Sequence, residues 1–202
     1  TEITCHAKGL FYLLPTVKTI VDIGGQDSKG IKIKDGKVNN FVMNDKCAAG
    51  TGRFLEVIAD SLNVPLERLG EISISASRAA EISSTCTGFA EHEVTNQLAN
   101  GESVANLIAG VHMSVATRVS SLVKKLQIEK DIAITGGGAK NIGLVKALEE
   151  KFGCPVLVPP EPLITGALGA AIMGKEIFEK FAREGQTPTR SGHGLEEARF
   201  FS

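Results

Sequence analysis

Three short segments with the pattern of β-strands follow one another between residues 17 and 43, and they constrain the fold more than any other feature. The first, 17–23, is largely apolar and is stopped by two glycines. The second and third, 29–34 and 38–43, are separated by the dipeptide Asp35-Gly36. Asp-Gly between two such segments is a strong hairpin signal, because both residues tolerate positive φ. The sequence therefore predicts a three-stranded antiparallel meander.

Helical spacing of apolar residues follows the meander. It predicts helices at about 49–62, 89–99 and 103–126, with a short helix opening at Pro65. A strand at 131–134, a helix at 141–152, a strand at 154–158 and a last helix at 165–181 complete the pattern. Because strands that alternate with helices form parallel sheets, we predict an α/β protein in which an antiparallel edge joins a parallel sheet.

Composition excludes several classes of protein. The chain is 43% hydrophobic and 22% charged, as in ordinary globular proteins, and its net charge of −1 gives no electrostatic reason to expect nucleic acid as a partner. The charge-free apolar stretch at 163–174 is about half of a membrane span, and no signal segment opens the chain. We therefore expect a cytoplasmic protein with no nucleic acid and no membrane among its partners.

Two glycines flanked by acidic residues join the first two predicted strands. Gly24 and Gly25 permit a turn whose backbone N–H groups point at an anion. Asp22 and Asp27 are suited to hold Mg²⁺ through water, and Gln26 is suited to orient a water for attack on a phosphate. A hairpin with a glycine bulge explains the same residues, so both interpretations stay open.

A second glycine run lies where a strand meets a helix. Gly136, Gly137 and Gly138, followed by Ala139, lie after the strand at 131–134. Nucleotide sites of α/β folds occur beyond the carboxyl ends of strands, and glycines let the backbone approach a base or a phosphate closely. The run is neither a P-loop nor a dinucleotide fingerprint. A tight strand-to-helix corner is the alternative interpretation.

Two cysteines, Cys47 and Cys86, each precede the predicted first turn of a helix. The unpaired N–H groups at a helix N-terminus favour a thiolate, which is the form that binds metal. Two ligands are too few for a closed four-ligand site, so one shared cofactor would require a symmetric pair of chains. Two buried thiols or one disulfide are the alternatives, and spacing alone favours them over a shared metal site.

Taken together, the motifs resemble those of a known family. They are VDIGGQD at 21–27, NDKCAAGTGRFL at 44–55, ISSTCT at 82–87, and TGGGA at 135–139 with GALGAA at 166–171. In order and spacing, over most of residues 1–183, they resemble the ATP-dependent activators (archerases) of 2-hydroxyacyl-CoA dehydratases. The ATPase subunits of benzoyl-CoA reductases are relatives of these activators. The run around Cys47 is the longest and most specific of the matches.

The resemblance implies the ribonuclease H-like fold of acetate and sugar kinases, heat-shock chaperones and actin, here mainly its second lobe. It implies a homodimer that binds one [4Fe-4S] cluster between its subunits, with Cys47 and Cys86 of each chain as ligands. Such activators bind ATP or ADP with Mg²⁺, take an electron from ferredoxin or flavodoxin, and use ATP hydrolysis to pass it to the dehydratase.

The resemblance also assigns roles to single residues. The turn of Asp22, Gln26 and Asp27 resembles the family's second phosphate loop, with these three as the expected catalytic residues. The remaining nucleotide-binding positions are expected to be Gly24, Gly25, Gly136, Gly137, Gly138 and Ala139, the last four forming the adenosine segment.

The sequence departs from the family pattern in one respect, because it contains no Asp-x-Gly-Ser-Thr-x-x-Lys first phosphate loop. We therefore expect most of the first lobe to be absent from this chain. The expected parts are a cluster-bearing nucleotide-binding lobe at 1–163, a closing helix at 164–183 that would pack on the missing lobe, and a loose tail at 184–202. A cluster-binding fragment that hydrolyses no ATP and a sugar or acetate kinase of the same fold are the alternatives.

Overall fold

A five-stranded mixed sheet lies at the centre of the structure, a computed structural model that describes residues 1–83 and 86–185. The strands are β1 (Thr19–Ile23), β2 (Ser28–Lys34), β3 (Lys37–Asn44), β4 (Ile132–Thr135) and β5 (Val156–Leu157). Their order across the sheet is β3-β2-β1-β4-β5. Strands β1, β2 and β3 pair antiparallel, whereas β4 is parallel to β1 and to β5. The predicted meander and its junction with a parallel sheet are confirmed.

The hairpin between β2 and β3 turns where the sequence predicts it. Asp35 has a φ of 52° and Gly36 a φ of 72°. Positive φ at both central residues matches the twist of the flanking strands, which is why Asp-Gly is favoured there.

Seven α-helices surround the sheet in the described part of the chain. They are α1 (Glu2–Leu13), α2 (Gly52–Ser61), α3 (Leu69–Ile74), α4 (Thr87–Ala99), α5 (Val104–Lys124), α6 (Ile142–Phe152) and α7 (Thr165–Arg183). Sequence analysis predicted these helices except α1, but it placed the start of α2 three residues too early. It also ended the short helix that opens at Pro65 near Gly70, whereas a 3₁₀ turn at Leu66–Arg68 leads into α3, which continues to Ile74. Among the described residues, no helix combines the length and the apolar character needed to span a bilayer.

Helices cover both faces of the central strand β1. Val21 and Ile23 point into the larger core, which α2, α5 and α6 complete. Ile20 points to the opposite face, where it packs with Leu10 of α1. Because successive strand residues face opposite sides, a strand buried on both faces has no polar alternation. This explains the largely apolar first segment of the sequence.

Helix α7 packs against α1 through small residues. A Cβ at Gly169 would overlap the carbonyl oxygen of Cys5, and a Cβ at Gly9 would overlap that of Thr165. The two backbones therefore touch at this crossing. Much of the outer face of α7 stays uncovered, including Phe178, which is 61% exposed. Packing of this helix on a further lobe stays a prediction, and the predicted tail lies from residue 186 onward outside the described residues.

Candidate functional site

The two glycine-containing loops predicted to bind nucleotide lie side by side at the carboxyl ends of neighbouring strands in the sheet. They follow β1 and β4, which are adjacent and parallel, with Asp22 opposite Thr135. A Cβ at Gly136 would lie 2.5 Å from the carbonyl oxygen of Ile23 and 2.6 Å from Oδ1 of Asp22. With its φ of 80° as well, position 136 accepts only glycine without strain. The carboxyl ends of strands are where open α/β sheets bind ligands.

A buried lysine holds the acidic residues of the first loop together. Lys29 lies on β2 with a side chain that is 2% exposed. Its ammonium lies 2.9 Å from Oδ1 of Asp27, 3.0 Å from Oε1 of Glu2 and 3.3 Å from Oδ2 of Asp22. Burial by itself lowers the pKa of Lys29, but the hydrogen bonds to Asp27 and Glu2 and the charge of Asp22 outweigh it and raise the pKa. The lysine therefore stays charged and offsets part of the negative charge of the three carboxylates.

A histidine extends this cluster toward α7. His6 of α1 places Nε2 3.9 Å from Oδ2 of Asp22 and 3.7 Å from Oε1 of Glu2. Its Nδ1 lies 3.2 Å from the hydroxyl of Thr165. Potential ligand atoms of Glu2, His6 and Asp22 all lie within 4.8 Å of one another, so this group could hold a metal ion. Lys29 already supplies a positive charge between two of these carboxylates.

The backbone of the Gly24-Gly25 turn is tied to the helix that follows Cys47. The N–H of Gly24 donates to the carbonyl oxygen of Asp27, so this amide closes the turn and does not point outward as expected. The carbonyl oxygens of Gly24 and Gly25 accept hydrogen bonds of 2.8 Å from the N–H groups of Gly52 and Arg53. The turn thus occupies two of the free N–H groups at the N-terminus of α2.

Beside that turn, the side chain of Gln26 is exposed and that of Asp22 is buried. A Cβ at Gly25 would meet no atom within 4 Å. The mouth of the first loop is therefore open to a ligand.

The second glycine segment forms a 3₁₀ turn, Gly137–Lys140, which leads into α6. A Cβ at Gly137 would meet no atom within 4 Å, whereas one at Gly138 would lie 2.7 Å from Cβ of Ile23. Gly137 is thus open to a ligand, and Gly138 permits close packing on β1. Asn141 caps α6 by accepting a hydrogen bond of 3.0 Å from the N–H of Leu144.

A buried histidine contacts Asn141, the residue that follows the second glycine segment. His112 of α5 is 1% exposed, with Nε2 2.9 Å from Nδ2 of Asn141 and Nδ1 3.0 Å from the hydroxyl of Ser73. Burial lowers the pKa of His112 to about 4. The ring is therefore neutral at pH 7, with Nε2 accepting a hydrogen bond from the Asn141 amide and Nδ1–H donating one to the hydroxyl of Ser73.

Cys47 lies in a loop, and not at a helix N-terminus as predicted. Helix α2 begins at Gly52 with Thr51 as its N-cap residue. The loop is held by the side chain of Asn44, which donates to the carbonyl oxygen of Cys47 at 2.8 Å and accepts from its N–H at 3.3 Å. The thiol is half-buried and Sγ lies 3.6 Å from Nη2 of Arg118. A cation, and not a helix terminus, is therefore the neighbour of this sulfur.

Cys86 occupies the position that the sequence predicts. It is the N-cap residue of α4, with an extended backbone and no hydrogen bond from its side chain to the helix. The thiol is exposed and belongs to no disulfide. Helix α4 packs on α2, where Ser61 donates to Oε1 of Glu91 at 2.9 Å. The helix that follows Cys47 thus contacts the helix that follows Cys86. Neither thiol belongs to a disulfide, so both are available to a ligand.

Sequence reasoning missed Lys29, His6, His112 and Arg118. A signal for Lys29 is present, because residues 29, 31 and 33 share one strand face and the other two are isoleucines. A buried lysine on an apolar face needs carboxylate partners. His112 and Arg118 carry no comparable signal, since their partners lie far away in the sequence.

Comparison with known proteins places the chain in a family. Residues 1–174 match the model of the BadF/BadG/BcrA/BcrD ATPase family. The activator of lactoyl-CoA dehydratase from Anaerotignum propionicum is 52% identical over 181 residues, which are 89% of this chain and 70% of that protein. The (R)-2-hydroxyglutaryl-CoA dehydratase activating ATPase from Acidaminococcus fermentans is 48% identical over 172 residues, covering 85% of this chain and 66% of that protein.

Solved structures extend the comparison to the fold. The activator of the 2-hydroxyisocaproyl-CoA dehydratase from Clostridium difficile, with bound ADPNP, superimposes with a TM-score of 0.89 at 43% identity, over 94% of this chain and 71% of that one. MreB 5 of Spiroplasma citri has a TM-score of 0.51 at 16% identity, over 91% of this chain and 60% of that one, and shows the fold alone. The predicted fold of actin and its relatives is confirmed, and the chain belongs to the BadF/BadG/BcrA/BcrD ATPase family.

Proposed function

We propose that this chain is the nucleotide-binding and cluster-bearing part of an ATP-dependent activator of a 2-hydroxyacyl-CoA dehydratase. One observation carries the proposal: the Gly24-Gly25 turn is hydrogen-bonded at 2.8 Å to Gly52 and Arg53, which begin the helix after the Cys47 loop. The phosphate-binding turn and the cysteine loop are thereby joined without any intervening element. A change of the nucleotide at the turn would therefore act on the start of α2, the helix that follows the Cys47 loop.

The nucleotide would lie along the two neighbouring loops at the carboxyl ends of β1 and β4. The open positions Gly25 and Gly137 admit a ligand, and Gly136 permits the loops to approach each other. We assign the phosphate side to Asp22, Gln26 and Asp27, with exposed Gln26 orienting the attacking water. The adenosine side then falls to residues 136–139. The similar activator that was solved with ADPNP supports nucleotide binding.

Magnesium would accompany the nucleotide at the acidic side of this site. Mg²⁺ keeps several of its waters and binds through few carboxylates together with phosphate oxygens. Asp27 is the more accessible carboxylate, since its side chain is 29% exposed and that of Asp22 only 4%. We therefore assign the water-mediated contact to Asp27, which also accepts a hydrogen bond from Lys29, and treat Asp22 as a buried partner of that lysine.

The donor set at the cysteines fits a [4Fe-4S] cluster shared by two chains. Cys47 and Cys86 are both free, and neither sulfur is buried in the core. Two thiolates from each chain of a homodimer supply the four ligands that such a cluster needs. When bound, the cluster carries one electron toward the dehydratase, with ferredoxin or flavodoxin as the source. Asn44 positions the Cys47 loop, and α4 presents Cys86 together with the partial positive charge of its N-terminus.

Anaerobic purification tests this function. A brown dimer with about four iron atoms, lost in Cys47→Ser and in Cys86→Ser, is the expected result. A second measurement tests the coupling, because nucleotide drives electron transfer only if it changes the relative energy of the two cluster states. We expect the potential of the cluster to differ between ADP and ADPNP. A colourless protein that phosphorylates acetate or a sugar would instead establish the kinase alternative.

A further inference from the structure

The contact between Arg118 and Cys47 has no part in the function described above. Arg118 lies on α5, where Val115 and Val119 on the same helix are buried in the core and fix its rotation. Nη2 of the guanidinium lies 3.6 Å from Sγ of Cys47, which is hydrogen-bonding distance for sulfur. The residue comes from an element 71 positions away in the chain. The packing of α5 therefore brings the cation to the sulfur.

The cysteine loop is shaped to receive this side chain. A Cβ at Gly50 would lie 3.3 Å from Cδ and 3.6 Å from Cγ of Arg118, so the stem of the arginine runs along the bare backbone of Gly50. Gly50 also has a φ of 92°, a backbone conformation that favours glycine at this position. Asn44 fixes the other side of the loop through Cys47 and Ala49. Both partners of the contact are thus held in place by packing.

The chemistry of the two groups determines whether the contact raises or lowers the reduction potential of a cluster bound at Cys47. A guanidinium keeps its positive charge in proteins, and its N–H groups donate to anions. A donor next to a ligand sulfur stabilises the more negative, reduced state of a cluster and so raises its reduction potential. We propose that Arg118 is a positioning residue that donates a hydrogen bond to the cluster ligand Cys47 and raises the potential of the bound cluster.

This inference rests on the proposed function, in which Cys47 is a cluster ligand. Its test compares the wild-type chain with four variants, all purified without oxygen and reconstituted with iron and sulfide. Arg118→Gln and Arg118→Met remove the charge, and Arg118→Lys keeps the charge but loses the planar fork. Lys124→Gln is the matched control, because it removes one positive charge from an exposed position on the same helix. A redox titration followed by electron paramagnetic resonance measures the potential of each cluster.

The expected result is specific to the contact. At a fixed ambient potential, Arg118→Gln and Arg118→Met lower the ratio of reduced to oxidised cluster by about tenfold, which equals about 59 mV for one electron. Arg118→Lys and Lys124→Gln change that ratio by less than about threefold. Circular dichroism and iron content establish that each variant is folded and loaded, so that a shift reports the surroundings of the cluster.

Two results would contradict the inference, and they differ from each other. Equal potentials in Arg118→Gln, Arg118→Met and the wild type overturn the role of Arg118 and leave the proposed function intact. A wild-type chain that binds no cluster under these conditions overturns the proposed function, and the role of Arg118 with it.

Discussion

The carbonyl oxygen of Gly24 accepts a hydrogen bond of 2.8 Å from the N–H of Gly52, and this bond joins the loop after β1 to the start of α2. A Cβ at Gly52 would lie 3.1 Å from that same oxygen and 3.2 Å from Cα of Gly25. The glycine therefore permits the two segments to approach within hydrogen-bonding distance. The joint lies between the proposed phosphate-binding turn and the loop that holds Cys47.

A larger side chain at position 52 is expected to destabilise the protein. Gly52→Val forces the Gly24-Gly25 turn away from α2, because its Cβ and methyl groups have no room there. We expect a loss of about 1–3 kcal/mol in the free energy of unfolding, measured by urea denaturation. Gly88→Ala is the control, since a Cβ at Gly88 meets no atom within 4 Å. Equal stability of Gly52→Val and wild type would contradict the close approach.

Removal of the buried ammonium of Lys29 should lower the free energy of unfolding by more than the Gly52→Val substitution does. Lys29→Met leaves Asp22, with a side chain only 4% exposed, without its cation. Breaking a buried pair in this way costs about 3 kcal/mol or more, because one charge stays buried and uncompensated. The exposed Lys34 at the end of the same strand provides the control variant Lys34→Met. Comparable urea midpoints for the two variants would show that the Lys29 cluster contributes no stability.

His112 makes the stability depend on pH in a defined window. The unfolded chain protonates this histidine below about pH 6.5, whereas the folded protein does so only near pH 4. Between these values the unfolded state binds more protons, so the free energy of unfolding falls as the pH falls, by about 1.4 kcal/mol per unit and about 3 kcal/mol in all. His112→Gln should flatten the profile measured by urea denaturation from pH 7 to 4. The exposed control His92→Gln should retain the slope.

The crossing of α1 and α7 supplies a matched pair of glycine substitutions on one helix. Gly169→Ala places a methyl group against the backbone of Cys5 and should lower stability by about 1–3 kcal/mol. Gly174→Ala meets no atom within 4 Å and should raise stability by up to about 1 kcal/mol, because alanine favours the helix. Thermal unfolding distinguishes the two. Opposite signs are expected, and a stabilised Gly169→Ala would refute the contact between the helix backbones.

Substitution of single cysteines by serine distinguishes the ligands of the cluster from cysteines that do not bind it. Cys47→Ser and Cys86→Ser should each reduce bound iron to a small fraction of the wild-type value, because a cluster shared by two chains loses two of its four ligands. Folding should be retained, since neither thiol belongs to the buried core. Cys154→Ser is the control at a cysteine that packs beside the core and lies at no predicted site. Iron content and far-ultraviolet circular dichroism together provide the measurement.

Local patterns in the sequence were sufficient for most of the fold. The alternation on either side of Asp35-Gly36 predicted the hairpin, because turn geometry and strand period are properties of neighbouring residues. Helix α1 was not predicted from the sequence, and its contact with α7, more than 150 residues away, depends on backbones that approach closely at Gly9 and Gly169. The start of α2 was misplaced for a related reason, since the bonds to Gly24 and Gly25 decide where that helix begins.

In the candidate site too, some features follow from the sequence and others only from the tertiary structure. By itself, the sequence determined which residues carry the chemistry: two glycine loops with flanking carboxylates, and two cysteines within motifs that resemble those of dehydratase activators. Only the tertiary structure decided their surroundings, namely Lys29 between three carboxylates, His112 below Asn141, and Arg118 beside Cys47. The physical reason is that charge and hydrogen bonding act through space between atoms a few ångströms apart, whatever their separation along the chain.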